Sequence, residues 1–289
     1  MAMTRCLFVS DLHGRPDRYE KLFRAIERIE PAGVFVGGDL LPHAFLHRPS
    51  GAAAPDDFIK GFVASRLRAL KRKLADRDPA FFVILGNDDP KVDEVSCEEL
   101  TREGLWQYVH TRRVDFHPYP VYGYAYVPPT PFSFKDWERY DVSRYVPPGC
   151  SSPEEGWRTQ EIEPNVVKYA TIKEDIDRLV GSDSLERAIF LFHTPPHETA
   201  LDRVALDEKM IDGVPLDVHV GSIAVRRFVE SRQPLLTLHG HVHESARLTG
   251  RWRDKIGQTH MFTAAHDGPE LALVQFDPDE LENAERDLL

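Results

Sequence analysis

Leu235-Leu236-Thr237-Leu238-His239-Gly240-His241-Val242-His243-Glu244-Ser245 is the stretch from which the fold can be read. Its first four residues are apolar or β-branched and read as a short buried strand. Gly240 then lets the backbone turn tightly with no Cβ in the way. His241 and His243 follow two apart, and on an extended segment such positions point the same way. Imidazole nitrogen suits a divalent transition metal. Alone, the tract is as consistent with a His-rich surface loop, so the decision rests on what other strand ends supply.

Four further apolar strands end in metal-capable side chains. Cys6-Leu7-Phe8-Val9-Ser10 leads into Asp11-Leu12-His13-Gly14. Tyr19, Leu22, Phe23, Ile26 and Ile29 then recur at helical spacing across Asp17 to Ile29. Val34-Phe35-Val36 forms the second strand, ending in Gly37-Gly38-Asp39. A right-handed β-α-β crossover puts Asp11 and Asp39 at the same edge of a parallel sheet, the edge where open α/β sheets bind ligands. Phe81-Phe82-Val83-Ile84-Leu85 is wholly apolar, hence buried on both faces, and runs into Gly86-Asn87-Asp88-Asp89. Ala188-Ile189-Phe190-Leu191-Phe192 delivers His193-Thr194-Pro195-Pro196-His197.

Between these anchors, Ser50 to Pro55 reads as a linker and Asp56 to about Asp76 as a long helix with Phe58, Phe62, Leu67, Leu70 and Leu74 inward. Helix is expected over Val95 to Glu103. Short antiparallel strands are expected over Tyr108 to His110, Val114 to Phe116 and Val121 to Tyr124. Tyr126 to Asn165 mixes many prolines with Phe132, Phe134, Trp137, Tyr140, Tyr145 and Trp157. Proline at that density breaks regular elements, while the aromatics are too many for a disordered tail. It reads as a packed insertion, either a cover for one side of the site or plain scaffold. Thr171 and Glu174 are spaced as a capping box for a helix to Val180, and Gly221-Ser222 opens another to about Ser231. Ala246-Arg247-Leu248, Thr259 to Thr263 and Leu271 to Phe276 read as closing strands, and the acidic tail from Asp277 as a solvated helix or frayed end. There is no internal repeat.

The composition, 42% hydrophobic and 29% charged over 289 residues, is that of an ordinary globular protein, and one domain can span the whole chain. No apolar run approaches the roughly 18 residues of a spanning helix, and the start is too short in apolar residues for a signal-peptide core. Three scattered cysteines imply no disulfide framework, which fits a reducing cytoplasm. The net charge of -11 argues against broad capture of nucleic acid or anionic membrane. A homo-oligomer is compatible with everything above.

The strand ends together offer Asp11, His13, Asp39, Asn87, His193, His241 and His243. These mixed oxygen and nitrogen ligands are too many for one tetrahedral ion and about right for two cations sharing a carboxylate. Without thiolate, manganese, iron, cobalt and zinc all suit the set.

Asp11-x-His13, Gly38-Asp39, Gly86-Asn87, His193 and Gly240-His241-x-His243, in this order, resemble the calcineurin-like metallophosphoesterase superfamily. Asp136-Trp137-Glu138-Arg139, His193-Thr194-Pro195-Pro196 and Val220-Gly221-Ser222 resemble its prokaryotic Icc-like subgroup more loosely. The resemblance implies a four-layer α/β/β/α sandwich with mixed sheets and two divalent ions, manganese first among them. It assigns Asp11, His13 and His243 to one ion, Asn87, His193 and His241 to the other, and Asp39 as the bridge. A metal-bridging hydroxide would attack phosphorus in a small phosphorylated substrate, a phosphodiester on the subgroup resemblance. His239 has no role there. The family commonly reads Gly-Asn-His-(Asp/Glu), its histidine assisting the leaving oxygen, and Asp88 stands in that place here. A carboxylate beside two dications is expected to stay ionised and to be a poor acid. His43, His197 and His219 are candidate substitutes, and Arg203 a candidate phosphate contact. The rival reading is a metal-binding interaction scaffold of the same fold; such relatives usually have eroded ligands, and here all seven are intact. A nuclease would need a basic groove, against which the negative charge weighs.

Overall fold

The computed structural model describes residues 4–42 and 58–289. Its strands are Cys6–Val9 (β1), Gly33–Gly37 (β2), Ala80–Ile84 (β3), Gln107–Tyr108 (β4), Arg112–Phe116 (β5), Tyr119–Tyr124 (β6), Ile189–Phe192 (β7), Met210–Ile211 (β8), Val214–Pro215 (β9), Leu236–His239 (β10), Arg253–Ile256 (β11), Thr259–Thr263 (β12), Ala272–Phe276 (β13) and Glu285–Leu288 (β14). They form two six-stranded sheets, ordered β14-β13-β1-β2-β3-β4 and β11-β12-β10-β7-β6-β5. Both are mixed. β1 to β4 are mutually parallel, with β13 and β14 antiparallel beside β1. β6, β7, β10 and β12 are parallel, with an antiparallel strand at each edge.

The fully apolar strands explain the layering. β1, β2, β7 and β10 are buried along their whole length, so each must be covered on both faces. Their inner faces meet between the sheets, where Phe35 stacks on Phe82 at 5.0 Å and meets Phe116 at 6.0 Å. Helices cover the outer faces. Pro16–Ile29 starts with proline in its first turn, where a missing N–H costs nothing, and ends at Glu30 in a left-handed conformation. Ile223–Arg232 is capped by the Ser222 hydroxyl, which accepts from Val225 N, and its Phe228 packs on Phe190 and Phe192. The result is the expected sandwich of helices outside two mixed sheets.

Three local expectations are corrected. Gln107–Tyr108 pairs parallel to β3 as the edge of the first sheet, not in an antiparallel meander. Ala246-Arg247-Leu248 lies in a short helix, Ser245–Thr249, closed by Gly250 at φ 71°. The acidic tail is neither helix nor frayed end: after a 3-10 turn at Leu281–Asn283 it pairs with β13 as β14. An edge strand can carry charge on its open side, which disguises it as a solvated tail. The long helix is present from Phe58 as a π-turn at Ile59–Val63 running into Ala64–Leu74. Asp56, the Ser50 to Pro55 linker and His43 lie outside the described residues.

Candidate active site

The strand registers decide what meets. Val9 pairs with Val36 and Val36 with Val83, so three parallel strands end level and release Asp11, Asp39 and Asn87 at one edge. In the second sheet Phe192 pairs with His239, so His193 and Gly240 are level, and Gly240 N donates to His193 O at 2.9 Å. His239 itself remains in the strand, where its ring bonds the Thr237 hydroxyl (2.7 Å) and Thr194 O (2.9 Å), away from the cluster.

The two edges interlock. Asp11, His13, Asp39 and His243 each place a donor atom within 4.8 Å of the others. His243 Nε2 lies 3.2 Å from both Asp11 Oδ1 and His13 Nε2. Asp39 reaches the other way, with Oδ2 3.3 Å from His193 Nε2, and that nitrogen is 3.0 Å from Asn87 Oδ1. The His241 ring centroid is 5.3 Å from that of His193, and its backbone N–H donates to Asp11 Oδ1 at 3.0 Å. All seven residues singled out in the sequence are thus brought together, with Asp39 between two groups.

The backbone is bent to achieve this. Asp11, His13, Asp39 and His241 adopt φ of 55°, 49°, 52° and 71°, a left-handed region that costs a non-glycine residue on the order of 1 kcal/mol or more and concentrates at functional sites. Close approach also demands glycine. A Cβ on Gly240 would stand 2.8 Å from Asp11 Oδ2, and one on Gly86 would stand 2.3 Å from Asp39 Oδ1.

Burial and charge define what the site can hold. Asp11 and Asp39 are 1% and 2% exposed. Burial alone would raise the Asp11 carboxyl, but the hydrogen bond and charge of His243 outweigh it and bring it to about 2. Asp39 is likewise held below the usual carboxylate range, burial being overcome by His193 and His13. Burial pulls the two imidazoles down, yet Asp39 lifts His193 to about 10 and Asp11 lifts His243 to about 9. His241 falls to about 3, through burial and then the charge of His193. Two buried carboxylates so placed favour positive charge beside them, which the two raised imidazoles supply as protons and which cations on the same donors would supply in their stead. The donor set of carboxylate, amide oxygen and imidazole fits hard-to-borderline divalent ions.

Several contributors were not singled out in the sequence. Asp89, fully buried, accepts from Leu40 N (3.0 Å), Leu41 N (2.8 Å) and Gly86 N (2.8 Å), tying the Asp39 loop to the Asn87 loop. Its position was legible as the acidic residue closing the Gly-Asn-x-Asp motif. Ser10 Oγ donates to Asp11 Oδ2, and Arg18 donates to Asp11 O; no local signal marks either. Asp88 N donates to Asp39 Oδ1 at 2.8 Å, and its carboxylate lies 3.8 Å from His13 Nδ1.

A cleft of about 790 Å³ opens on the cluster, with Asp39, Asn87, Asp88, His241 and His243 in its lining. Part of the proline-rich segment, including Pro128, Thr130, Phe132 and Phe134, forms another portion. Arg203 does not join the described lining: its guanidinium turns to Asp207 and Val204 O. His197 pairs with Asp217 at 3.1 Å and His219 with Asp202 at 2.8 Å, and neither is among the described residues lining the cleft. Cys6, Cys97 and Cys150 are free thiols, and among the described residues no helix is long and apolar enough to cross a membrane.

Comparison with known proteins agrees with this geometry. One solved chain superposes with a TM-score of 0.61 at 18% identity over 99% of both chains. TT1561 of Thermus thermophilus gives 0.54 at 17% identity, again over 99% of both. At such identity these likenesses speak for the fold. No curated protein matches the chain significantly. The family model described as calcineurin-like phosphoesterase matches residues 4–245, and with the motif residues gathered where the two sheets' strand ends meet, the chain belongs to the calcineurin-like phosphoesterases.

Proposed function

We propose that this metal-dependent phosphoesterase hydrolyses phosphodiesters of small molecules at a two-cation centre, with manganese as the working metal. Asp11, His13 and His243 would hold one ion, Asn87, His193 and His241 the other, and Asp39 both. Two such ions supply Lewis acidity, activating water and neutralising the charge that builds on the phosphoryl group. The chain's residues do the positioning. His193 is oriented by its Nδ1 contact to Gly37 O at 2.8 Å, a backbone partner of the kind that fixes which nitrogen faces a metal. Ser10 and the His241 N–H hold the Asp11 carboxylate, and the Asp88 N–H holds Asp39.

In the reaction a water oxygen bonds to phosphorus, the ester P–O bond breaks, and one water proton ends on the departing oxygen. Asp88 occupies the place from which an imidazole would assist that departure, and His197 and His219 are paired elsewhere. Turnover should therefore favour good leaving groups over alkoxides, an assistance ordinarily worth about 10²–10⁴-fold.

The observation that carries this reading is the convergence of Asp11, His13, Asp39 and His243 within 4.8 Å. The test is metal analysis of the purified protein, followed by a panel of mono- and diesters with added manganese, Asp39→Asn serving as the inactive control. Two equivalents of metal and Asp39-dependent diester hydrolysis are expected. A protein that binds no metal and is inert across the panel would favour the scaffold reading.

A further inference from the structure

Most of the cleft lies outside the reacting groups. All residues of the Pro128–Phe134 run except Ser133 line it, together with Val204, Leu206 and Val220. The volume, about 790 Å³, is in the range of pockets that enclose a drug-sized molecule, roughly 300–1,000 Å³, far more than a phosphoryl group needs. No lysine or arginine occurs among the described lining residues, while Asp88 and Glu244 do. A second phosphate, or a nucleic-acid backbone, would find no lysine or arginine among the described lining residues and two carboxylates to repel it. Phe132 remains 54% exposed, a large apolar face left open to solvent.

This wall is held in place by buried charge. Lys135 is fully buried, and its ammonium donates to Thr130 O (2.9 Å), Glu138 Oε2 (2.6 Å) and Ser151 O (3.3 Å). Glu138 in turn accepts from Thr130 N at 3.0 Å. Trp137, next to this pair, donates its indole N–H to Asp89 O at 2.9 Å, and Asp89 carries the loops of Asp39 and Asn87. A wall fixed this way cannot fold back to hide its apolar surface, so that surface is pre-organised for a ligand.

We infer that the Pro128–Phe134 wall with Val204, Leu206 and Val220 is a subsite for a large apolar ester arm, alkyl or aryl, of the substrate, whose single phosphoryl charge sits at the cation centre. This rests on the hydrolytic reading above and adds what lies beside phosphorus: hydrophobic surface, with no second anionic group.

Binding tests it without turnover. Methyl-, butyl-, octyl- and phenylphosphonate, which cannot be hydrolysed, are titrated calorimetrically into the manganese-loaded protein. Each methylene buried in the cleft should lower Kd about two- to fourfold, so butyl should bind about tenfold or more tighter than methyl. Phenylphosphonate distinguishes an aryl from an alkyl preference. Leu206→Asp, and the milder Val204→Ser, should flatten that dependence on length. A Kd that is constant within twofold from methyl to octyl overturns the subsite, as does failure of both octyl- and phenylphosphonate to bind. A parallel series of p-nitrophenyl alkyl phosphates keeps the leaving group constant. Equal kcat/KM at every chain length sinks the subsite and leaves the hydrolytic reading standing. Length-dependent phosphonate binding without turnover of any diester does the reverse.

Discussion

Gly86→Ala is the most incisive single change, because one methyl group would strike both halves of the cluster. The new Cβ would lie 2.3 Å from Asp39 Oδ1, 2.5 Å from Asp39 N and 2.6 Å from His193 Cε1. Ordinary contact begins at 3.4 Å, so Asp39 must retreat by 3.4 − 2.3, about 1.1 Å, if His193 stays. Both residues are buried, and the retreat would disturb the Asp88 N–H bond and the His193 contact together. Overpacking of this kind costs about 1–3 kcal/mol of stability, and a misplacement of about 1 Å at a reacting centre costs about 100-fold in rate. The assay pairs metal content after dialysis with kcat/KM on a p-nitrophenyl diester, and circular dichroism confirms the fold. Gly61→Ala is the control: it lies on the exposed face of the π-turn, where a methyl group would meet no described residue within 4 Å, so metal content and turnover should be unchanged. If Gly86→Ala keeps its full metal content and turns over within threefold of wild type, the close approach of these loops does not hold Asp39 in place, and the argument fails.

Metal removal should lower thermal stability: a ligand at about 100 times its Kd adds about 2.7 kcal/mol, so excess EDTA should lower Tm by roughly 5 °C or more in a scan with and without manganese. Asp88→His should raise turnover of alkyl phosphodiesters at least about tenfold relative to p-nitrophenyl esters; an unchanged ratio would refute the missing-imidazole argument. His110 supplies a pH test outside the cluster. It is buried, accepts the Ala125 N–H at Nδ1 (3.0 Å), and is held well below the usual histidine range by burial, then by Lys91, Arg139 and Arg112. The unfolded chain takes up this proton near pH 6.5 and the folded chain does not, so its stability contribution is present above that pH and lost as pH falls, by about 1.4 kcal/mol per unit. The stability difference between wild type and His110→Asn should therefore shift against wild type by about 2 kcal/mol between pH 6.5 and pH 5, read from urea unfolding.

The parts of this protein that were legible in its sequence are those where one local rule coincides with one tertiary demand. Apolar runs such as Phe81 to Leu85 must be buried on both faces, and glycine followed by Asp39, Asn87 or His241 marks a strand releasing a ligand at a turn. Because the motifs sit at equivalent ends of parallel strands, chain order levels Asp11, Asp39 and Asn87 at the end of one sheet and His193 and Gly240 at the end of the other, and the packing of the two sheets makes these ends meet. What was not legible depends on partners distant in the chain. The tail at Glu285–Leu288 is a strand because β13 offers it an edge, and nothing in its charged sequence announces that edge. Arg203 could serve as a phosphate contact on residue type alone, but Asp207 four positions on claims its guanidinium.

The proline-rich segment shows the same limit from the other side. Its aromatics signalled packing but not what they pack against, and the answer lies in polar groups. The buried Lys135–Glu138 pair and the Trp137 bond to Asp89 fix it beside the cluster. Removing one partner of such a buried pair leaves an uncompensated charge, typically costing about 3–5 kcal/mol, whereas an apolar anchor could slide. Whether the segment acts as cover or as scaffold, it is tied through Trp137 and Asp89 to the loops that carry Asp39 and Asn87. That link is the physical reason to treat the wall of the cleft and the candidate cation site as one device.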